Sequence, residues 1–139
     1  DMKLIIDLVV NHTSDEHEWF KEACKSKDNP YHDYYIWRDA VDAGKTPPNN
    51  WISLFQGPAW NYYENLNQWA MHLFSKKQMD LNWECEEMRK EVHQMIRWWL
   101  EKGVDGFRMD VINYISKEPG LPQGNNMIGE LMGFYGIEH

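Results

Sequence analysis

The stretch VDGFRMDVIN, residues 104–113, places Arg108 and Asp110 inside a run that otherwise has the apolar character of a buried strand. Side chains alternate along a strand, so these two charges point to one side while Phe107 and Met109 point to the other. A neighbouring guanidinium favours the ionised carboxylate, and an unprotonated carboxylate is what a nucleophile must be. The spacing also fits a buried ion pair with a structural role alone. Both interpretations stay open at this point.

A second charged position lies in the apolar run KLIIDLVV, residues 3–10, which carries Asp7 and is followed by His12. A buried carboxylate without hydrogen-bond donors is costly, so Asp7 needs a donor: a substrate hydroxyl, His12 or Arg108. Asp7, His12 and Asp110 could instead bind a hydrolytic metal ion, but the charge of Arg108 would oppose a divalent cation. We expect no metal and no other cofactor.

Two strands must position these charges, one at residues 3–10 and one at 104–112, and each is typical of a parallel sheet covered on both faces. Parallel strands joined through a helix form a βαβ unit of about 30 residues or somewhat more. Asp7 and Asp110 are 103 residues apart. The surplus of roughly 70 residues therefore predicts an insertion after the first strand.

The intervening sequence predicts two helices and an irregular insertion. A helix at about 84–102 follows from apolar residues at spacings of three and four, and Gly103 ends it. A shorter helix at 15–27 is expected, capped by Thr13 or Ser14.

Within the insertion, Asn29 to Gly57 is rich in Pro, Asn, Asp and Tyr and predicts loops. Short strands are expected at 51–56 and 69–74. Three tryptophans of this insertion are candidates for stacking on a ligand: Trp51, Trp60 and Trp69.

Composition and charge limit the partners. Hydrophobic residues make up 42% of the chain and charged residues 26%, which is typical of a globular protein. The net charge of −8, with no Lys- or Arg-rich run, argues against nucleic acid. No segment has a membrane-spanning or signal-peptide pattern, and Cys24 and Cys85 predict unpaired thiols in a reducing compartment. We therefore expect a cytoplasmic protein without a membrane partner.

Three motifs together resemble the α-amylase superfamily, glycoside hydrolase family 13. DLVVNH at 7–12 and GFRMD at 106–110 resemble its first and second conserved regions. QMDLNW at 78–83 resembles the motif that ends the family's inserted domain B, written Gln-Pro-Asp-Leu-Asn in the oligo-1,6-glucosidase group, although Met79 departs from that proline. The longer segments HTSDEHEWF and DGFRMDVINYISKEPGLP are similar to bacterial oligo-1,6-glucosidases and trehalose-phosphate hydrolases.

The resemblance implies an α/β fold, part of a (β/α)8 barrel from about its third strand to just after its fourth. Residues 1–14 would form the third strand and its end, 15–83 domain B, and 84–139 the third helix, the fourth strand and the following loop. The chain has 139 residues, against about 250 for a whole barrel. Since it also begins inside an apolar run without Met, we expect a piece of a larger protein, inactive and poorly stable alone because its sheet edges are open.

The resemblance also implies roles for individual residues. Asp110 would be the catalytic nucleophile and Arg108 its electrostatic partner, and an oligosaccharide would be the substrate. The residues implied to contact that substrate are Asp7, His12, Phe55, Phe74, Gln78 and Val111. Val111 matches enzymes that prefer α-1,6 linkages, because maltases of this group often carry Thr there.

The implied reaction is retaining glycoside hydrolysis by a parent α-glucosidase, in which a second carboxyl group acts as acid and then base. Glu130 is a candidate, but only 20 residues separate it from Asp110. The prolines and glycines between them leave little room for a barrel helix. We expect the acid to lie beyond this chain.

Alternative functions remain within and outside the family's hydrolytic chemistry. A trehalose-6-phosphate hydrolase or a maltase would use the same residues on another substrate. A catalytically silent, amylase-like transporter partner is the alternative of a different class, but such proteins have lost catalytic residues, and Asp7, His12, Arg108 and Asp110 are all present.

Overall fold

A computed structural model describes residues 2–124, which contain seven strands, two α-helices and two short 3-10 turns. The strands and helices, in chain order, are β1 (Ile5–Val9), β2 (His12–Ser14), α1 (Glu18–Ala23), β3 (Trp37–Asp39), β4 (Trp60–Tyr63), β5 (Gln68–Met71), β6 (Gln78–Asp80), α2 (Glu86–Glu101) and β7 (Gly106–Asp110). The 3-10 turns are His32–Tyr34 and Ile112–Tyr114. None of the helices in this range has the length and apolar character needed to cross a bilayer.

Strands β1 and β7 pair in parallel, with Ile5 opposite Gly106 and Val9 opposite Asp110. Helix α2 precedes β7, so the predicted βαβ unit with a long insertion is confirmed. Parallel strands end at the same edge of a sheet. The residues that follow β1 and those that follow β7 therefore meet at one edge.

Among the described residues the two strands are covered on one face only, so burial on both faces stays a prediction for the complete barrel. Leu8 and Val10 are 4% and 3% exposed because they join the apolar core. Ile5 and Val9, on the other face, are 64% and 44% exposed. They share that face with Asp7, and no described element packs over it.

Helix α2 has the predicted position and ends. Gly103 has φ +96°, a left-handed conformation that ends a helix at little steric cost in glycine. Glu86 and Lys90 form an ion pair of 2.7 Å on the exposed side. The apolar stripe is covered only near the start of the helix, where Met88 and Val92 are buried.

The insertion contains more strands than the sequence predicts. Strand β5 confirms the strand expected at 69–74 and forms the centre of an antiparallel sheet in the order β3-β5-β4. The strand expected at 51–56 is absent from the described structure, where a single bridge joins Ile52 and Pro58. Gln56 and Gly57 have φ of +72° and +82°, so the chain turns there instead of continuing extended.

The region before α1 also differs from expectation. The helix begins at Glu18, and its cap is His17, whose Nδ1 accepts a hydrogen bond of 3.1 Å from the Trp19 backbone N–H. Thr13 and Ser14 do not cap it, because they lie in β2 and pair antiparallel with β6. That pairing joins residues more than 60 positions apart, so no local pattern predicts it.

Two apolar cores hold the described chain together. The larger core packs α2 and β1 against aromatic residues of the insertion, including Phe20, Tyr35 and Trp37. The smaller core contains the three tryptophans expected to stack on sugars, Trp51, Trp60 and Trp69. That expectation is wrong, because their exposed fractions are 5%, 3% and 7% and their ring faces are covered by protein.

A matched pair of glycine substitutions tests the packing of the insertion. Gly44 and Gly57 have φ of +80° and +82°, but a Cβ on Gly44 would lie 2.4 Å from the Tyr62 ring, whereas a Cβ on Gly57 meets nothing within 4 Å. Gly57→Ala should cost about 1 kcal/mol of unfolding free energy from the backbone alone. Gly44→Ala should cost the same backbone term plus roughly 1–3 kcal/mol from overpacking against Tyr62. Denaturant unfolding measures both, and equal losses would contradict the Tyr62 contact.

Candidate active site

A row of three charges lies across the parallel strands, because the register places Asp7 opposite Arg108. One guanidinium nitrogen of Arg108, Nη1, is 3.1 Å from Asp7 Oδ2, and the other, Nη2, is 3.3 Å from Asp110 Oδ1. The hydrogen bond to Asp7, together with the charges of both aspartates, raises the pKa of Arg108. The predicted common orientation of Arg108 and Asp110 is therefore confirmed, and Arg108 is the donor that Asp7 needs.

This row is open to solvent in the described chain. The side chains of Asp7, Arg108 and Asp110 have exposed fractions of 61%, 63% and 36%. The row lies on the face of the sheet that no described element covers, so its burial within a complete barrel stays a prediction.

His12 follows β1 at the same edge and faces amide groups on both sides. Its Nδ1 is 3.2 Å from Asn11 Nδ2, and its Nε2 is 3.1 Å from Gln78 Nε2. Burial lowers the pKa of His12, against the opposing charges of Asp80 and Asp110. A neutral imidazole accepts at one nitrogen only, so one amide donates to the ring while the ring N–H on the other side faces a group that cannot accept it.

An aromatic group lies beside His12. The Phe74 ring is 5.2 Å from the His12 ring, 5.5 Å from Tyr114 and 6.4 Å from Phe55, measured between centroids. Phe74 and Tyr114 are half-buried, whereas Phe55 is 67% exposed at the turn of the insertion. Side chains from the insertion and from the segment after β7 therefore form one wall beside His12.

Val111, which follows Asp110 directly, has φ +44° and ψ +33°. This left-handed conformation is unfavourable for a β-branched residue. It ends β7 and starts the 3-10 turn that carries Tyr114. The backbone of Val111 therefore directs the segment after Asp110 towards Phe74, which the sequence pattern does not predict.

The structure brings the sequence-predicted residues into two adjoining groups. The charged row contains Asp7, Arg108 and Asp110, and Val111 follows it directly in the chain. The second group contains His12 and Gln78, which contact each other, and Phe74 and Phe55 of the wall beside them. Glu130 lies outside the described residues. Within residues 2–124, no three His, Cys, Asp or Glu side chains are grouped as a metal site requires.

A buried ion pair behind the site is the feature that sequence reasoning missed. Lys117 Nζ lies 2.9 Å from Asp80 Oδ2, and these side chains are 9% and 0% exposed. The same ammonium group donates to Asn11 Oδ1 at 3.3 Å and to the Tyr114 carbonyl. Asp80 also accepts from Asn11 Nδ2 at 3.2 Å and from the Leu73 backbone N–H at 2.8 Å.

This pair joins three separate segments: the end of β1, strand β6 of the insertion and the turn after β7. All its polar atoms have partners, as a buried ion pair requires to be tolerated. The sequence contained one signal, since Asp80 belongs to the recognised motif QMDLNW. Nothing in the sequence linked it to Lys117, 37 residues later.

Comparison with known proteins identifies the family. The family model described as "Alpha amylase, catalytic domain" matches residues 1–132. The chain belongs to the α-amylase family. Its solved relatives are (β/α)8 barrel enzymes, and the described residues supply two neighbouring strands and one helix of such a fold, without a closed barrel.

Individual relatives in the α-amylase family are highly similar to the chain. Over 93% of this chain, the sequence is 60% identical to an oligo-1,6-glucosidase of Halalkalibacterium halodurans. Over 97% of this chain, it is 51% identical to a trehalose-6-phosphate hydrolase of Bacillus subtilis. The crystal structure of a trehalose-6-phosphate hydrolase from Bacillus licheniformis superposes with a TM-score of 0.87, at 51% identity over 96% of this chain. The chain spans 23%, 24% and 24% of these three proteins.

The buried ion pair predicts a large difference between two lysine substitutions. Lys117→Met leaves the Asp80 carboxylate buried without its cation and should lower the free energy of unfolding by about 3–5 kcal/mol. Lys90→Met is the control, because its exposed pair with Glu86 should contribute about 0.5 kcal/mol or less. Denaturant unfolding of both variants measures the difference. Losses below about 1 kcal/mol for Lys117→Met would show that Asp80 does not depend on this cation.

Proposed function

We propose that this chain is part of a retaining α-glucosidase that hydrolyses short α-linked gluco-oligosaccharides, with Asp110 as nucleophile. The observation that carries the proposal is the row Asp7–Arg108–Asp110 at the ends of paired parallel strands, beside His12 and Phe74. In barrel enzymes the active site lies at the carboxyl ends of the strands. Identity of 60% to an oligo-1,6-glucosidase supports the reaction class.

The proposed reaction has two steps. A carboxylate oxygen of Asp110 attacks the anomeric carbon, the glycosidic bond breaks, and the leaving oxygen takes a proton from an acid located outside the described residues. Water then attacks the same carbon, gives its proton to that conjugate base and releases Asp110. Arg108, at 3.3 Å, stabilises the free carboxylate in both steps.

The substrate-binding roles follow from the polarity of each group. Asp7 would accept hydrogen bonds from sugar hydroxyls with the carboxylate oxygen that Arg108 does not bind. One ring N–H of His12 faces an amide group that cannot accept its hydrogen bond. His12 would donate that hydrogen to a sugar oxygen. Phe55 and Phe74 would contact the apolar face of the sugar, and Gln78 would line the same pocket beside His12.

The arrangement of charges favours sugar chemistry over metal hydrolysis. Arg108 lies within 3.3 Å of both Asp7 and Asp110 and occupies the position that a bridging cation would need. The presence of Asp7, His12, Arg108 and Asp110 together argues against a catalytically silent relative, since such proteins have lost catalytic residues. These two observations support a glycosidase over both alternatives.

The substrate proposal favours α-1,6 linkages, with trehalose 6-phosphate and maltose as alternatives. Val111 and the oligo-1,6-glucosidase relatives support the first, and the structural similarity to a trehalose-6-phosphate hydrolase supports the second. We also propose residues 15–83 as domain B, between barrel parts at 1–14 and 84–139. A cytoplasmic location is supported by Cys24 and Cys85, which are unpaired thiols.

Replacing the nucleophile gives the direct test. In the complete enzyme, Asp110→Asn should lower kcat at least about 10³-fold with an activated aryl α-glucoside, because an amide cannot form the glycosyl ester. Asp105→Asn is the matched control; Asp105 pairs with Lys3 at 2.8 Å, away from the row, so its kcat should stay within about twofold. A covalent glycosyl adduct trapped on Asp110→Asn would contradict the assignment.

A second substitution tests the linkage preference. The complete enzyme should show a higher kcat/KM for isomaltose than for maltose or trehalose 6-phosphate. Val111→Thr replaces a methyl group by a hydroxyl and should shift the isomaltose-to-maltose ratio towards maltose by about 10-fold or more. Preference for trehalose 6-phosphate in the unmodified enzyme would favour the phosphosugar alternative, and an unchanged ratio would remove Val111 as a specificity residue.

A further inference from the structure

The segment His72–Phe74 runs from the end of β5 to the aromatic wall, and backbone hydrogen bonds hold its first two residues. The His72 backbone N–H donates to the Ala59 carbonyl at 2.8 Å, and the Leu73 N–H donates to Asp80 Oδ1 at 2.8 Å. His72 and Leu73 are both 1% exposed. The position of Phe74 is therefore set by a buried strand extension, although Phe74 itself lies beside the open site.

The His72 ring has one defined partner. Its Nδ1 lies 3.2 Å from the Phe74 carbonyl oxygen, and a carbonyl oxygen only accepts, so Nδ1 carries the hydrogen. Its Nε2 is buried and has no partner among the described residues. A hydrogen on Nε2 would be left unpaired in an apolar setting, so the neutral ring with the hydrogen on Nδ1 is favoured. Burial also lowers the pKa of His72, against the Phe74 hydrogen bond and the Asp80 charge, which raise it, and the Lys76 charge lowers it further.

We propose that His72 is a positioning residue for the sugar pocket, acting through the carbonyl group of Phe74. The imidazole hydrogen bond fixes the backbone of Phe74. The backbone in turn fixes the Phe74 ring, whose centroid lies 5.2 Å from that of His12 and 5.5 Å from that of Tyr114. His72 does not touch the sugar, since it is 1% exposed. This inference rests on the proposed function, because it takes Phe74 to contact the substrate.

Two substitutions separate the hydrogen bond from simple packing. In His72→Asn the side-chain amide nitrogen takes the place of Nδ1 and can still donate to the Phe74 carbonyl, whereas His72→Leu fills similar space without a donor. With the complete enzyme and an aryl α-glucoside, His72→Leu should raise KM by about 3- to 10-fold while kcat changes less than about twofold. His72→Asn should keep KM within about twofold of the unmodified enzyme. Thermal unfolding is recorded for each variant, and His72→Met, which also has no donor, replaces the Leu variant if the latter does not fold.

Phe74→Ala separates failure of this inference from failure of the proposed site. If Phe74→Ala raises KM and His72→Leu does not, the positioning role is wrong while the sugar pocket stands. If Phe74→Ala leaves KM unchanged, Phe74 is not in the pocket and both proposals lose their support. Equal increases in KM for His72→Asn and His72→Leu would assign the effect to packing and overturn the role of the hydrogen bond. In a double variant with His72→Leu and Phe74→Ala, KM should be no higher than in Phe74→Ala alone, because His72 acts through Phe74.

Discussion

The buried pair of Lys117 and Asp80 is the interaction on which the arrangement of the site depends. It binds the end of β1, the insertion and the turn after β7 at one point, with all three ammonium hydrogens directed at oxygen acceptors. The insertion is joined to the strands only at its two ends, and these two connections do little to fix its orientation relative to them. A charge pair that is costly to separate inside the protein supplies that orientation instead.

The two charged groups of this chain differ in what the protein gains from them. Lys117 and Asp80 are enclosed and fully hydrogen-bonded, so they act on the fold. The row Asp7–Arg108–Asp110 lies on a face of the sheet that no described element covers, and in the proposed active site its members would bond the substrate. Asn11 connects the two groups, because it bonds Asp80 and Lys117 on one side and meets His12 on the other.

The chain after Asp110 turns abruptly, and that turn has a cost. Val111 adopts a left-handed backbone, which a β-branched residue rarely does. The strain is offset by what the turn brings into place: Tyr114 against Phe74, and Lys117 against Asp80. Strain of this kind persists only where the surroundings hold it, and here a buried ion pair lies six residues beyond the strained position.

The sequence by itself determined the local elements and the identity of the charged row. The alternation in GFRMD placed Arg108 and Asp110 on one side of a strand, and the spacing of apolar residues defined α2, because both patterns depend only on neighbours along the chain. The motifs also led to the family, since their combination is specific. The short strands β2, β3, β4 and β6 were not predictable, because each is defined by a partner that is distant in sequence or by a sheet formed within the insertion.

The tertiary structure alone decided which groups were buried. Trp51, Trp60 and Trp69 are core residues and not sugar platforms, because they pack together with other apolar residues in the smaller core of the insertion. No sequence pattern distinguishes Lys117 from the other lysines, and its role follows only from the fold, which places it against Asp80. Burial is a property of the assembled surface around a residue, and this surface comes from segments that no local pattern connects.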